Sequence, residues 1–354
     1  MLGVYPHGKI FVMKQRVGYF DIAKGIGIIL VVIAHIEYMP LELRQYIVTF
    51  HMPAFFLISG MLMNLTNEKN RDVKPLLDHK FKRILLPYFL FSLIIPLIYY
   101  LRYLISGEGY SAEHFLQDIL VGLSLTGVSV LWFLPALFFS ELIVLAFIKH
   151  LKKPYQPVIF VVILTGLWFL PFALPVLALF LWRVIICSIL VLIGYLLHPV
   201  IKKVSGKPDL LLPVSVVLFV ILYFTGLENG IVDLHYVIIG NALLYFFNAT
   251  IGSSALILLS VFIESRLKGI SGMLCFFGRH SLFIMLTHID FMILYLGEKL
   301  AFAISDVTPR GKEIVFNLTA TVSTLIIETI LIIIWEKLKN CGILFISGKT
   351  KSKE

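Results

Sequence analysis

Long apolar runs, separated by short polar connectors, make up most of the chain. Ten runs have the roughly 17–25 residues that a helix needs to cross a bilayer, and the run at 236–263 carries Asn241, Asn248 and Gly252 and is expected to be broken or kinked. The pattern predicts an all-α, polytopic membrane protein with about ten transmembrane helices, at 20–37, 47–65, 84–105, 131–149, 156–173, 181–200, 210–227, 236–263, 273–297 and 313–336.

Charged residues lie mostly in the connectors, and their sign alternates from one connector to the next. The basic clusters occur at 14–16, 69–83, 149–153, 202–207, 266–268 and 337–353. Because cytoplasmic connectors carry an excess of Lys and Arg, this alternation predicts that both the N- and C-termini are cytoplasmic. We therefore expect a cytoplasmic segment at 1–19, a transmembrane domain at 20–337 and a basic cytoplasmic tail at 338–354.

The composition agrees with this interpretation and limits the function classes. The chain is 59% hydrophobic and 14% charged, whereas a soluble domain has about 25% charged residues. The net charge of +9 then reflects the cytoplasmic connectors and does not indicate a nucleic-acid partner. Cys187, Cys275 and Cys341 lie far apart, and no pair of histidines has the spacing of a metal motif, so we predict no disulfide framework and no metal site.

The first apolar run carries three ionisable residues on one stripe. Lys24 and His35 are eleven residues apart, which is about three helical turns and roughly 16 Å along the axis. Asp21 lies on the adjacent part of the same face, too far from His35 to orient it, and is expected to pair with Lys24 or another basic group. Charges inside a spanning helix are functional candidates by default. The alternative is a basic residue that reaches the headgroups and a His at the far interface.

Two further segments extend this candidate site. His51 begins the second spanning run at a level comparable with His35, so the two histidines are expected to line one pocket, unless His51 is only an interfacial anchor. Lys80, Lys82 and Arg83 begin the third run. Their side chains suit an anionic ligand such as the phosphates of a cytosolic donor, although ordinary cytoplasmic charge explains them as well.

Three more polar or aromatic residues lie in later spans. Glu141 is about halfway through the fourth run, where a carboxylate needs a partner or a cavity. Trp132 begins that run and is either a site residue or part of an interfacial aromatic belt. His288 lies deep in the ninth run and is either a site residue or a hydrogen-bonded packing residue.

Six segments, taken in order, resemble the acyltransferase-3 family of bacterial integral-membrane O-acyltransferases, which includes fucose-4-O-acetylase-like enzymes. The resemblance covers nearly the whole chain. It is carried by DIAKGIGIILVVIAH (21–35), FHMPAFFLISG (50–60), KFKRILLPYFLF (80–91), LWFLPALFFSELI (131–143), GNALLYFFNATIGS (240–253) and GRHSLFIMLTH (278–288).

The resemblance implies an O-acetyltransferase of the bacterial cytoplasmic membrane. Such an enzyme takes an acyl group, usually from acetyl-CoA, and places it on a hydroxyl of a cell-surface or lipid-linked glycan. The family's first-helix motif, a basic residue and a His with ten residues between them, falls on Lys24 and His35, with Lys in place of the commoner Arg. Its second basic motif falls on Lys80, Lys82 and Arg83.

The residues and the resemblance together give one functional hypothesis. His35 is the catalytic base on the acceptor hydroxyl, either directly or through an acyl-His35 intermediate. The donor- and acceptor-binding residues are expected among Asp21, Lys24, His51, Lys80, Lys82, Arg83, Trp132, Glu141 and His288. Acyl-CoA, a glycan acceptor and membrane lipids are the expected partners, with no metal. The alternatives are a transporter or flippase for an anionic or lipid-linked sugar, with a His and acid proton relay, and a membrane protein that only binds a partner.

Overall fold

The computed structural model describes residues 17–107, 109–169, 175–305 and 313–340 of the 354-residue chain. Within these ranges the protein is all-α. Its helices are α1 Gly18–His35, α2 Leu41–Val48, α3 His51–Leu65, α4 Val73–Lys80, α5 Leu86–Ser106, α6 Ala112–Leu123, α7 Phe133–His150, α8 Gln156–Trp168, α9 Pro175–Val204, α10 Pro208–Asn229, α11 Ala242–Arg266, α12 Lys268–Arg279, α13 Ser281–Thr287, α14 Ile293–Ser305 and α15 Glu313–Asn340.

The polytopic all-α fold is confirmed. Among the described residues, eight helical stretches are long and apolar enough to cross a membrane, and the bent pair α12 and α13 raises this number to nine. The sequence predicts about ten, and two of the predicted spans do not correspond to an unbroken helix long enough to cross a membrane. The span at 156–173 is the 13-residue α8, and the span at 273–297 is interrupted by a 59° bend between α12 and α13. The predicted terminal segments fall mainly outside the described ranges.

Helix α1 lies at the centre of the bundle and packs against α3, α11 and α12. Its contact with α12 is unusually close because glycines face each other across it. A Cβ atom at Gly25 would overlap the carbonyl oxygen of Leu274, and one at Gly278 would overlap the carbonyl oxygen of Asp21. Small residues at such interfaces let helix backbones approach closely inside a membrane. The charged stripe of α1 is therefore held rigidly between its neighbours.

The third spanning stretch runs without a break from Val73 to Ser106, so its basic residues lie inside the helix and not before it. A π-helical turn at Phe81–Leu85 joins α4 to α5. Such turns insert an extra residue into a helix and often occur at functional sites. Here the turn includes two of the predicted site residues, Lys82 and Arg83.

The predicted span at 236–263 begins too early. Helix α11 starts at Ala242, where the side chain of Asn241 accepts a hydrogen bond from the backbone N–H of Leu244 at 3.1 Å and caps the helix. The preceding residues form a loop that is closed by a β-bridge between Asp233 and Ile238. Helix α11 itself is one continuous helix through Asn248 and Gly252.

Candidate active site

Two cavities lie at opposite ends of α1. The first, which we name the lysine cavity, has a volume of about 170 Å³ and is lined near the start of α1 by Lys24. The remaining polar side chains that line it are Ser59, Glu68, His79, Lys80, Arg83, Glu141 and Ser281. Its other walls are apolar side chains of α1, α3, α7 and α13, together with Ile84. The cavity thus combines charged groups with an apolar passage.

Lys80 is the centre of a buried ionic cluster in the lysine cavity. Its ammonium Nζ lies 2.6 Å from Oε2 of Glu141 and 2.9 Å from Oε2 of Glu68. The hydroxyl of Ser59 donates a hydrogen bond to the other oxygen of Glu141. Glu141 therefore has the partner that a mid-span carboxylate requires. Because two carboxylates surround one ammonium, Lys80 has little positive charge left for an anionic ligand.

The other predicted cations differ in what they contact. Lys24 forms an ion pair with Asp21 at 2.8 Å, which confirms the predicted pairing. Lys82 lies outside the cavity lining and pairs with Asp78 on the exposed face of the helix. Arg83 is exposed and lines the lysine cavity. Within the described ranges no salt bridge joins it to an acidic residue, so its charge is available for an anion.

The second cavity, which we name the histidine cavity, lies at the end of α1 and has a volume of about 360 Å³. His35 and His51 both line it, as the sequence predicts. The polar side chains that complete its lining are Arg44, Ser129, Trp132, Asp233 and His235. Arg44, Ser129, Asp233 and His235 were not among the predicted site residues.

Backbone carbonyls set the tautomers of both histidines. Nδ1 of His35 lies 2.8 Å from the carbonyl oxygen of Val31, and Nδ1 of His51 lies 2.9 Å from that of Ile47. Because a carbonyl oxygen only accepts, Nδ1 must carry the proton in each ring. Nε2 then carries the lone pair. His51 is buried whereas His35 is exposed to the cavity, so His35 presents the more accessible base.

His288 is next to His35 but does not line either cavity. The two ring centroids are 5.2 Å apart in an edge-on arrangement. Nδ1 of His288 lies 2.8 Å from the carbonyl oxygen of Ile284, so it donates in the same way as the other histidines. The side chain is fully buried, and among the described residues its Nε2 has no hydrogen-bond partner. The His288 ring therefore packs against the ring of His35.

An aromatic and guanidinium stack forms one wall of the histidine cavity. The rings of Trp132 and His235 are nearly parallel, with centroids 5.7 Å apart. The guanidinium of Arg183 lies 5.5 Å from the Trp132 ring centroid. Arg183 also donates to the carbonyl oxygens of His235 and Thr126, each at 2.7 Å. One buried cation therefore holds together two connectors that are distant in sequence.

The position of His235 also affects its protonation. Burial, reinforced by the positive charge of Arg183, lowers the pKa of His235 from its ordinary value to about 4, although Asp233 opposes the shift. His235 is consequently neutral at physiological pH.

The two cavities share part of their lining. Val31, Met52 and Met285 line both of them. Val31 is one helical turn before His35, and its carbonyl oxygen orients that side chain. The two cavities therefore share a wall, which at Val31 lies one helical turn from His35.

Within the described parts of the chain, no group of three or more His, Cys, Asp or Glu side chains is arranged to hold a metal ion. Searches of curated proteins and of solved structures each found no match. A family model described as an acyltransferase domain, that of the acyltransferase 3 family, matches residues 17–333. Because this match covers most of the chain, the protein belongs to the acyltransferase 3 family and is a multi-pass membrane acyltransferase.

Proposed function

We propose that this enzyme transfers an acetyl group from acetyl-CoA in the lysine cavity to a sugar hydroxyl in the histidine cavity. The observation that carries the proposal is the wall that the two cavities share, which lies one helical turn from His35 at Val31. Lys24 and His35 lie at opposite ends of one spanning helix, roughly 16 Å apart along its axis, so donor and acceptor can approach from opposite faces of the membrane.

On the donor side, Arg83 is the best-placed cation for the CoA phosphates, because guanidinium groups bind phosphate oxygens in pairs. Lys24 adds charge further inside, although Asp21 offsets part of it. The apolar walls of the lysine cavity suit the pantetheine arm, which is long and mostly uncharged. The positive-inside pattern of the connectors supports a cytoplasmic position for this cavity, on the side where acyl-CoA is found.

On the acceptor side, the histidine cavity suits a sugar of a cell-surface or lipid-linked glycan. The stacked rings of Trp132 and His235 form part of its wall, and Arg44 and Asp233 supply hydrogen-bonding groups for the hydroxyls of a sugar. His51 adds a second basic imidazole nitrogen beside His35. A bacterial cytoplasmic membrane, with the glycan on its outer side, fits this arrangement.

The chemical step uses the free Nε2 of His35 as a general base. The imidazole takes the proton of the acceptor hydroxyl, and the resulting alkoxide attacks the thioester carbonyl carbon. A new C–O ester bond forms while the C–S bond breaks. The CoA thiolate that leaves then takes the proton from the His35 imidazolium. An acyl-His35 intermediate would be recognised as an acetylated peptide after rapid quenching.

The test is thioester consumption by the purified protein in nanodiscs with acetyl-CoA. The wild-type protein should release CoA, slowly by hydrolysis and faster with a suitable sugar, whereas His35→Ala should lose about 10²–10⁴-fold of that rate. His150→Ala, a change of an exposed His that lines neither the lysine nor the histidine cavity, is the matched control and should keep most of it. A folded His35→Ala protein that releases CoA at the wild-type rate would refute the proposed role.

A further inference from the structure

We propose that Val31, Met52 and Met285 form a constriction that selects the acyl group, and that it admits a short, uncharged aliphatic chain. The inference rests on the proposed function, because it concerns the donor of that reaction. These three side chains are the lining that the lysine and histidine cavities have in common. We name them the constriction.

The constriction lies next to the reacting group. The carbonyl oxygen of Val31 accepts the hydrogen bond from Nδ1 of His35 at 2.8 Å, so Val31 is about 6 Å from His35 along the helix axis. Met285 is three residues before His288, whose ring lies 5.2 Å from the His35 ring. A thioester that reaches His35 from the lysine cavity must therefore pass Val31 and Met285, and its acyl carbons lie against them.

The chemistry of the walls sets the kind of acyl group. Val31 and Met285 are buried and Met52 is partly buried, and none of the three offers a partner for a charge. Burying an unpaired carboxylate in such surroundings is costly, so succinyl and malonyl groups should be rejected. Lys80 cannot correct this, because it already pairs with two carboxylates, and Lys24 lies seven residues, or about 10 Å, before Val31 along α1.

The bulk of the constriction side chains limits the length of the acyl chain that can pass. Methionine is unbranched and flexible, so Met52 and Met285 can move enough for a narrow arm and a small acyl group to pass. A longer chain must displace these side chains further or extend into the space of the acceptor. Discrimination by one methylene in an apolar pocket is worth about 10–200-fold in rate. Acetyl is therefore preferred over butyryl in the wild-type protein.

The experiment compares acyl donors and not only rates. CoA release is measured with acetyl-CoA, butyryl-CoA and succinyl-CoA for the wild-type protein, Met52→Ala and Met285→Ala in nanodiscs. The ratio of kcat/KM for butyryl-CoA to that for acetyl-CoA should rise about tenfold or more in either variant, while succinyl-CoA stays a poor donor. Leu137→Ala, which enlarges the lysine cavity away from the constriction, should leave the ratio unchanged.

A narrowing variant tests the same idea in the opposite direction. Met52→Phe should reduce turnover of acetyl-CoA while binding of free CoA, measured by calorimetry, is retained. Should an Ala variant fail to fold, Met52→Val and Met285→Val replace it. These variants remove less of the side chain than Ala does, and the butyryl-CoA to acetyl-CoA ratio should again rise. An unchanged donor ratio in folded methionine variants, or an equal change in Leu137→Ala, overturns the constriction while the proposed function stands. A wild-type protein that consumes none of the three thioesters overturns both.

Discussion

Replacement of Lys80 by Met should destabilise the protein strongly, because Lys80 neutralises two carboxylates inside the bundle. Its Nζ lies 2.6 Å from Glu141 and 2.9 Å from Glu68. The three side chains are 7%, 9% and 11% exposed, respectively. Met has a similar length and keeps the apolar contacts of the stem, so the substitution chiefly removes the charge and leaves Glu68 and Glu141 without a counter-ion.

The expected size follows from the burial of the cluster. Removing one partner of a buried ion pair costs about 3–5 kcal/mol. At about 2 °C for each kcal/mol, the lower end of the range for large domains, this lowers the melting temperature by about 6–10 °C. Glu141→Gln in the Lys80→Met background removes one of the orphaned charges. The double variant should therefore lose less stability than the sum of the two single changes.

The assay is thermal unfolding in detergent, followed by size-exclusion chromatography of the soluble fraction. Lys82→Met is the matched control, because Lys82 pairs with Asp78 on the same helix at 2.8 Å but the two side chains are 65% and 59% exposed. An exposed pair of this type contributes about 0.3–0.5 kcal/mol, so the control should melt within about 1 °C of the wild-type protein.

The outcome also separates two roles for Lys80. If Lys80→Met melts like the control and instead weakens CoA binding, the lysine is a donor ligand and our description of the cluster is wrong.

Three further changes have defined results. Gly278→Ala should lower the melting temperature by a few degrees, because the new Cβ overlaps the backbone of α1 and overpacking costs about 1–3 kcal/mol. Gly272→Ala on the same helix is the control: its Cβ faces open space, so the melting temperature should not change. Arg183→Met should weaken glycan-dependent CoA release more than basal hydrolysis, because Arg183 holds the connectors around Trp132. The pKa of His235 is about 4 in the folded protein and about 6.5 in the unfolded chain. The unfolded chain therefore binds the proton more tightly, so the stability that His235 contributes above pH 6.5 is lost as the pH falls towards 4. His235→Gln should reduce that part of the pH dependence of melting.

Local sequence patterns predicted much of the site. The stripe on α1 follows from helical periodicity alone, and the pairing of Asp21 with Lys24 follows from their i, i+3 spacing. The shared cavity of His35 and His51 follows from two neighbouring antiparallel spans. These features depend on residues that are close in sequence or on adjacent elements, so a single chain is enough to infer them.

Long-range contacts were not predictable in the same way. Lys80 and Glu141 are 61 residues apart, and nothing in the local pattern distinguishes a Lys that binds phosphate from one that is enclosed by carboxylates. The stack of Trp132 on His235 joins two connectors that only the folded bundle brings together. Arg183, which lies in a third segment, holds these two connectors together through its hydrogen bonds to the backbone of each.

Hydropathy was also misleading at one loop. Val237, Ile238 and Ile239 are apolar, and they extended the predicted span at 236–263 to a point before the true start of the helix. In the structure these residues precede α11, and Val237 and Ile239 pack against the main hydrophobic core. An apolar residue packs equally well against lipid or protein, so composition alone does not place such a segment.

The most direct test of the account is the sidedness of the two cavities. Single-cysteine variants Leu137→Cys, in the lysine cavity, and Val48→Cys, in the histidine cavity, are made in a background without native cysteines and treated with a membrane-impermeant maleimide. We expect Val48→Cys to react in intact spheroplasts and Leu137→Cys to react only in inverted vesicles, with acetyl-CoA protecting Leu137→Cys alone. Labelling of both positions from the same face, or protection of Val48→Cys by acetyl-CoA, would contradict a reaction between donor and acceptor that enter from opposite sides.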